Sequence, residues 1–96
     1  MVERKDLMSL VTERIEDNVL YLELNGRIDS SNADQAEELI KAIKEAHPDL
    51  QSVLDAENLE YLSSAGLRVV LRMRKDAADL KIINVSTEVY EILDMT

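Results

Sequence analysis

Two adjacent hydroxyls followed by a small residue and a glycine, Ser63-Ser64-Ala65-Gly66, are the residues of this chain best placed to do chemistry. They stand where the loop around Leu59-Glu60-Tyr61-Leu62 gives way to apolar residues at helical spacing. A helix start presents unpaired backbone N–H groups and the positive end of the helix dipole, so it stabilises a phosphate or carboxylate placed there. A phosphorylated serine suits that position. The same residues also suit a plainer role, in which the hydroxyls cap the helix and Gly66 allows close packing.

A serine hydrolase is disfavoured by what surrounds the pair. There is no Gly-x-Ser-x-Gly elbow, and the only histidine, His47, precedes Pro48 at a helix end, where it suits the negative end of the dipole. Without cysteine the chain has no thiolate, zinc knuckle, iron–sulfur cluster or disulfide framework, which fits a reducing compartment. Gly26 and Gly66 are its only glycines, so no glycine-rich loop can wrap a nucleotide, and any ATP must be held by another protein. The expectation is a non-enzyme with no cofactor and no metal.

Charge narrows the partners. Eleven Lys and Arg against twenty Asp and Glu give a net charge of −9, which repels bare nucleic acid and anionic membrane. The longest apolar run, Val19 to Leu22, is far short of the roughly 20 residues of a spanning helix, and Met1-Val2-Glu3-Arg4-Lys5 is no signal peptide, so a soluble cytoplasmic protein is expected. Within this acidic chain Arg68, Arg72, Arg74 and Lys75 gather on one segment. They read either as cations favoured near a helix C-terminus or as a basic ridge meeting an acidic partner. Asp34, Glu37 and Glu38 read as a solvated helix face.

The elements that must position these residues follow from periodicity. Ser9 to Glu16 and Val19 to Leu24 alternate as two strands around an Asp17-Asn18 turn, and Gly26 marks the exit of the second. Asn32 with Gln35 has capping-box spacing ahead of a helix carrying Ala36, Leu39, Ile40 and Ile43, which Pro48 stops. Gln51 to Ala56 is a buried strand, followed by a loop and a second helix with Leu67, Val70, Leu71, Arg74 and Ala78 on one side. Lys81 to Val85 is a strand, and Ser86 caps a third helix with Val89, Ile92 and Leu93. The order ββαβαβα predicts a single α/β domain over 1–96: a mixed sheet of about four strands, helices mainly on one face, an aliphatic core, and Met1 to Leu7 frayed.

The segment from Val53-Leu54-Asp55-Ala56 through Leu62-Ser63-Ser64-Ala65-Gly66-Leu67-Arg68 to Leu71 closely resembles the signature of STAS domains, in particular bacterial anti-sigma factor antagonists. Leu24 to Ala33 resembles the family's second-strand exit and first-helix cap, and Ile83 to Leu93 its last conserved strand and helix. The resemblance implies a protein-binding switch. The unmodified antagonist captures an anti-sigma factor that is also a serine kinase, freeing a sigma factor; phosphorylation ends the capture and a serine phosphatase restores it.

The family's modified serine carries over to Ser64, while Ser63 takes a position often held by aspartate. Strand exits and helix starts of such sheets gather at one end, so Asp29, Ser30, Ser31, Asn58, Tyr61, Ser63, Gly66 and Arg68 are expected to line the partner surface. The family usually continues with a further strand and a closing helix where this chain stops at Asp94-Met95-Thr96, which implies a shortened domain and favours a homodimer. The alternative function is an unphosphorylated STAS scaffold within a larger signalling assembly.

Overall fold

The structure, a computed structural model, describes residues 10–77 and 79–94, the side chains of Leu93 and Asp94 excepted. The expectations for Met1 to Leu7, Ser9, Ala78, the Leu93 side chain and the last two residues lie outside that set. Strands β1 (Val11–Glu16) and β2 (Val19–Leu24) form the expected hairpin, with Val11 opposite Leu24 and Glu16 opposite Val19. Asp17 and Asn18 both take positive φ, 51° and 65°, the backbone twist that a two-residue hairpin turn requires. β2 then pairs in parallel with β4 (Gln51–Asp55), and β4 with β6 (Lys81–Ile83), giving a mixed sheet in the order β1-β2-β4-β6.

Three helices complete the α/β fold: α1 (Ala33–Ala46), α2 (Ser64–Asp76) and α3 (Thr87–Asp94). One core joins them to the sheet, in which Leu20, Leu22, Leu24 and Leu54 of the strands meet Ala36, Ile40, Val69, Val70, Met73 and Val89 of the helices. Ser86 caps α3 as expected, its hydroxyl accepting from the Val89 N–H at 3.2 Å. No helix among the described residues is long and apolar enough to cross a membrane.

Two short strands add to the expected order. β3 (Gly26–Ile28) and β5 (Leu59–Leu62), the latter lying in what reads as a connecting loop, pair in parallel as a separate two-stranded sheet. Gly26 has φ 77°, a left-handed backbone that favours glycine, and its N–H donates to the Asn58 carbonyl at 2.8 Å.

Several local readings need correction. β6 ends at Ile83 rather than Val85, because Asn84 turns left-handed at φ 58° and donates its side-chain amide to Asp55. Asn32 occupies the N-cap position of α1 but makes no side-chain cap bond, since its amide faces backward, accepting from the Asp29 N–H and donating to the Arg27 carbonyl. The buried stripe of α2 is Gly66, Val69, Val70 and Met73, so Leu71 and Arg74 lie outside it. Glu37 leaves the solvated face to take Arg72 of α2 in a two-pronged ion pair at 2.7 and 2.9 Å. That pair holds the Glu37 carboxyl below its ordinary range, against the opposing effect of burial. His47 caps α1 through its N–H to the Lys44 carbonyl, and its Nε2 lies 3.4 Å from Glu13 of β1.

Candidate functional site at the start of the second helix

The small β3–β5 sheet brings two loops together. Ile28 pairs with Leu62, so both strands end side by side and lead directly into helices, β3 through Asp29–Asn32 into α1 and β5 through Ser63 into α2. The Ser63 N–H donates to the Ile28 carbonyl at 2.9 Å, which locks the second junction to the end of the first.

Gly66 sets how closely α2 approaches. A Cβ built there would lie 2.6 Å from Leu62 Cδ1, 2.9 Å from Ile28 Cγ2 and 3.1 Å from the Ile28 carbonyl oxygen. Only a residue without a side chain lets the first turn of α2 rest on both small strands. Gly66 is therefore buried and faces inward, where it positions the site rather than lining it.

The two serines have different environments. Ser63 is the N-cap, extended at φ −81° and ψ 177°; its hydroxyl accepts from the Gly66 N–H at 3.3 Å and its carbonyl from the Leu67 N–H at 2.8 Å. Ser64 is the first helical residue and is exposed, and no group among the described residues bonds to its hydroxyl. A cap hydroxyl is held by the helix it caps, whereas the next one projects into solvent at the positive end of the dipole.

The neighbouring loop is ordered by its own bonds. Asp29 accepts from the Ser31 hydroxyl at 2.6 Å and the Ser31 N–H at 2.9 Å, and these bonds hold its carboxyl below the usual range, with Arg27 assisting. Ser30 and Ser31 are exposed beside it. Arg27 lies opposite Tyr61 across the β3–β5 pair with its guanidinium 4.5 Å from the ring centroid, and both residues are exposed. Arg27 lies within the Leu24 to Ala33 segment but is not among the residues expected to line the surface, and the alternation of Gly26 and Ile28 around it is too short to read without its partner strand. Arg68 stands one turn beyond Ser64, exposed, with no ion pair among the described residues.

Asp29, Ser30, Ser31, Tyr61, Ser63, Ser64 and Arg68 thus collect around one end of the small sheet. Asn58 falls at the other end, where its carbonyl accepts from Gly26 and its side-chain amide donates to Asn25 at 3.3 Å. The assembled end is an open, polar surface on which the Ser64 hydroxyl and the Arg68 guanidinium have no partner among the described residues and Tyr61 is 38% exposed. It can dock another protein and accept a phosphate.

Comparison with known proteins agrees with this architecture. Residues 10–96 match the model of the family described as STAS domain. A protein of Bordetella bronchiseptica named "Putative anti-sigma factor antagonist BtrV" is 34% identical over 94 residues, covering 93% of this chain and 78% of that protein. A solved structure of the anti-sigma factor antagonist SpoIIAA in its unphosphorylated form superposes with a TM-score of 0.65 at 21% identity, covering 88% of this chain and 78% of the other. At that identity the likeness concerns the fold.

Proposed function

The chain belongs to the STAS domain family, and from that premise we propose that it is an anti-sigma factor antagonist switched by phosphorylation of Ser64. Unmodified, it captures an anti-sigma factor that is also a serine kinase and so frees a sigma factor in the cytoplasm. The kinase holds the ATP, and a serine phosphatase resets the switch. The chain itself acts by binding, not by catalysis.

The observation that carries this reading is the division of labour between Ser63 and Ser64. Ser63 is engaged through its N–H, carbonyl and hydroxyl, whereas Ser64 offers an exposed hydroxyl at the helix start. A phosphate there adds about −1.5 to −2 charge at neutral pH, in a place where the helix dipole tolerates it. The free fold need not change. A docked partner, however, would have to desolvate a dianion at the contact, and an unpaired buried charge costs several kcal/mol.

The test is capture of the kinase by Ser64→Ala and Ser64→Asp, each with and without ATP. Ser64→Ala should stay bound when ATP is added, and Ser64→Asp should bind poorly without it. Equal binding by both variants and the unmodified chain would instead describe a constitutive scaffold.

A further inference from the structure

We infer that the partner surface does not stop at Ser64 but runs the length of α2 as a stripe of Ser64, Arg68, Leu71 and Lys75, and that it docks an acidic surface with an apolar recess for Leu71. The inference rests on the antagonist reading and says which chemistry the captured partner must present.

These four positions recur at i, i+4, i+7 and i+11, which places them on one side of a helix. The buried residues of α2, Gly66, Val69, Val70 and Met73, occupy the opposite side, so the stripe points directly away from the core. All four residues are exposed, Leu71 at 42%. A leucine in that position, exposed on a helix face that no element among the described residues covers, is the kind of apolar group that a partner pocket can bury.

Charge identifies the partner. The chain carries −9 overall, yet α2 holds Arg68, Arg72, Arg74 and Lys75 against the single acid Asp76. These cations are not equivalent. Arg72 turns toward α1 and is held by Glu37, whereas Arg68 and Lys75 on the stripe make no ion pair among the described residues. Two free cations flanking an exposed leucine complement an acidic rim around an apolar hollow. The stripe is also continuous with Ser64 at its head. A phosphate there would place negative charge against the partner's acidic rim, so the modification repels at the point where the unmodified stripe attracts.

The experiment measures affinity by titration calorimetry, using the full chain and the purified serine-kinase anti-sigma factor encoded in the same genome, at low and high salt. Leu71→Asp should weaken binding at least tenfold. Lys75→Glu should weaken it several-fold, with the difference shrinking at high salt as screening removes the charge contribution. Lys81→Glu, an equal charge reversal on β6, should stay within twofold of the unmodified chain. Far-UV circular dichroism and thermal melts should show all three folded, since each residue is exposed. If Leu71→Asp and Lys75→Glu bind like the unmodified chain while Ser64→Asp does not, the stripe is overturned and the antagonist reading stands. If the unmodified chain fails to bind the kinase at all, both fall.

Discussion

On the outer face of the main sheet, charges are gathered and closed on one another. Arg14 reaches Glu23 at 2.7 Å and Asp55 at 3.5 Å and lies 4.3 Å over the Tyr21 ring, while Thr12 donates to the second Glu23 oxygen. Asp55 also accepts from Asn84 and from the Glu57 N–H, both at 3.0 Å, and is 4% exposed. At the start of α2 the same residue types behave differently: Arg68 and the Ser64 hydroxyl have no partner among the described residues, and Tyr61, though stacked against Arg27, stays exposed. Polar groups satisfied inside the chain hold its fold, and those left outward are available to something else. Residue type alone does not separate the two classes; the partners do.

The sharpest way to break this contrast is to open the closed network. Asp55→Ala removes the carboxylate that Asn84, the Glu57 N–H and Arg14 share, and the loss of these hydrogen bonds to a charged acceptor should cost about 1.5–3 kcal/mol in a denaturant titration without changing the chemistry at Ser64. Its carboxyl works against burial but is held below the usual range by Asn84, the Glu57 N–H and Arg14. The unfolded chain therefore takes up this proton more readily than the folded one. The stabilisation is complete above the ordinary aspartate value of about 4 and is lost as the pH falls through the lower folded value. Stability measured between pH 3 and 6 should show a shallower acid limb in Asp55→Asn.

Gly66→Ala comes next. The new Cβ would collide with Leu62, Ile28 and a backbone carbonyl, so a loss of about 1–3 kcal/mol is expected, read as a lowered melting temperature. Because Gly66 is buried, any loss of partner binding should follow from displacement of α2. Smaller still is the difference between the serines. Ser63→Ala gives up the cap and should cost about 1 kcal/mol, while Ser64→Ala, exposed and bonded to nothing described, should stay within about 0.5 kcal/mol of the unmodified chain. A similarly small cost, under about 1 kcal/mol, is expected for Glu37→Gln, since Arg72 is half exposed and water screens the pair.

Much of this arrangement is legible in the sequence wherever a pattern runs long enough. The alternation of Leu20, Leu22 and Leu24 places β2, the Asp17-Asn18 pair marks its hairpin, and Ser86 marks the start of α3. The strands β3 and β5 are only three and four residues long, so neither shows a period until the other lies beside it. The phase of α2 hides for a related reason: its inner stripe begins at Gly66, which carries no apolar signal, and the residue is there because Ile28 and Leu62 leave no room. Asn32 has the spacing of a cap whichever way its amide points, and the choice is made by Asp29 and Arg27. Glu37 looks solvated until Arg72, 35 positions away, is brought against it. Within the site, the Ser63-Ser64 pair is visible in the sequence, but which hydroxyl caps and which faces water depends on backbone direction at the helix start.

That distinction is what the account stands on, and one measurement addresses it directly. The unmodified chain and Ser64→Ala are incubated with the cognate anti-sigma kinase and ATP, and the products are fragmented in a mass spectrometer to place the added mass. The account predicts a single phosphate on Ser64 and none on the alanine variant. Phosphate on Ser63, or full modification of Ser64→Ala, would contradict it.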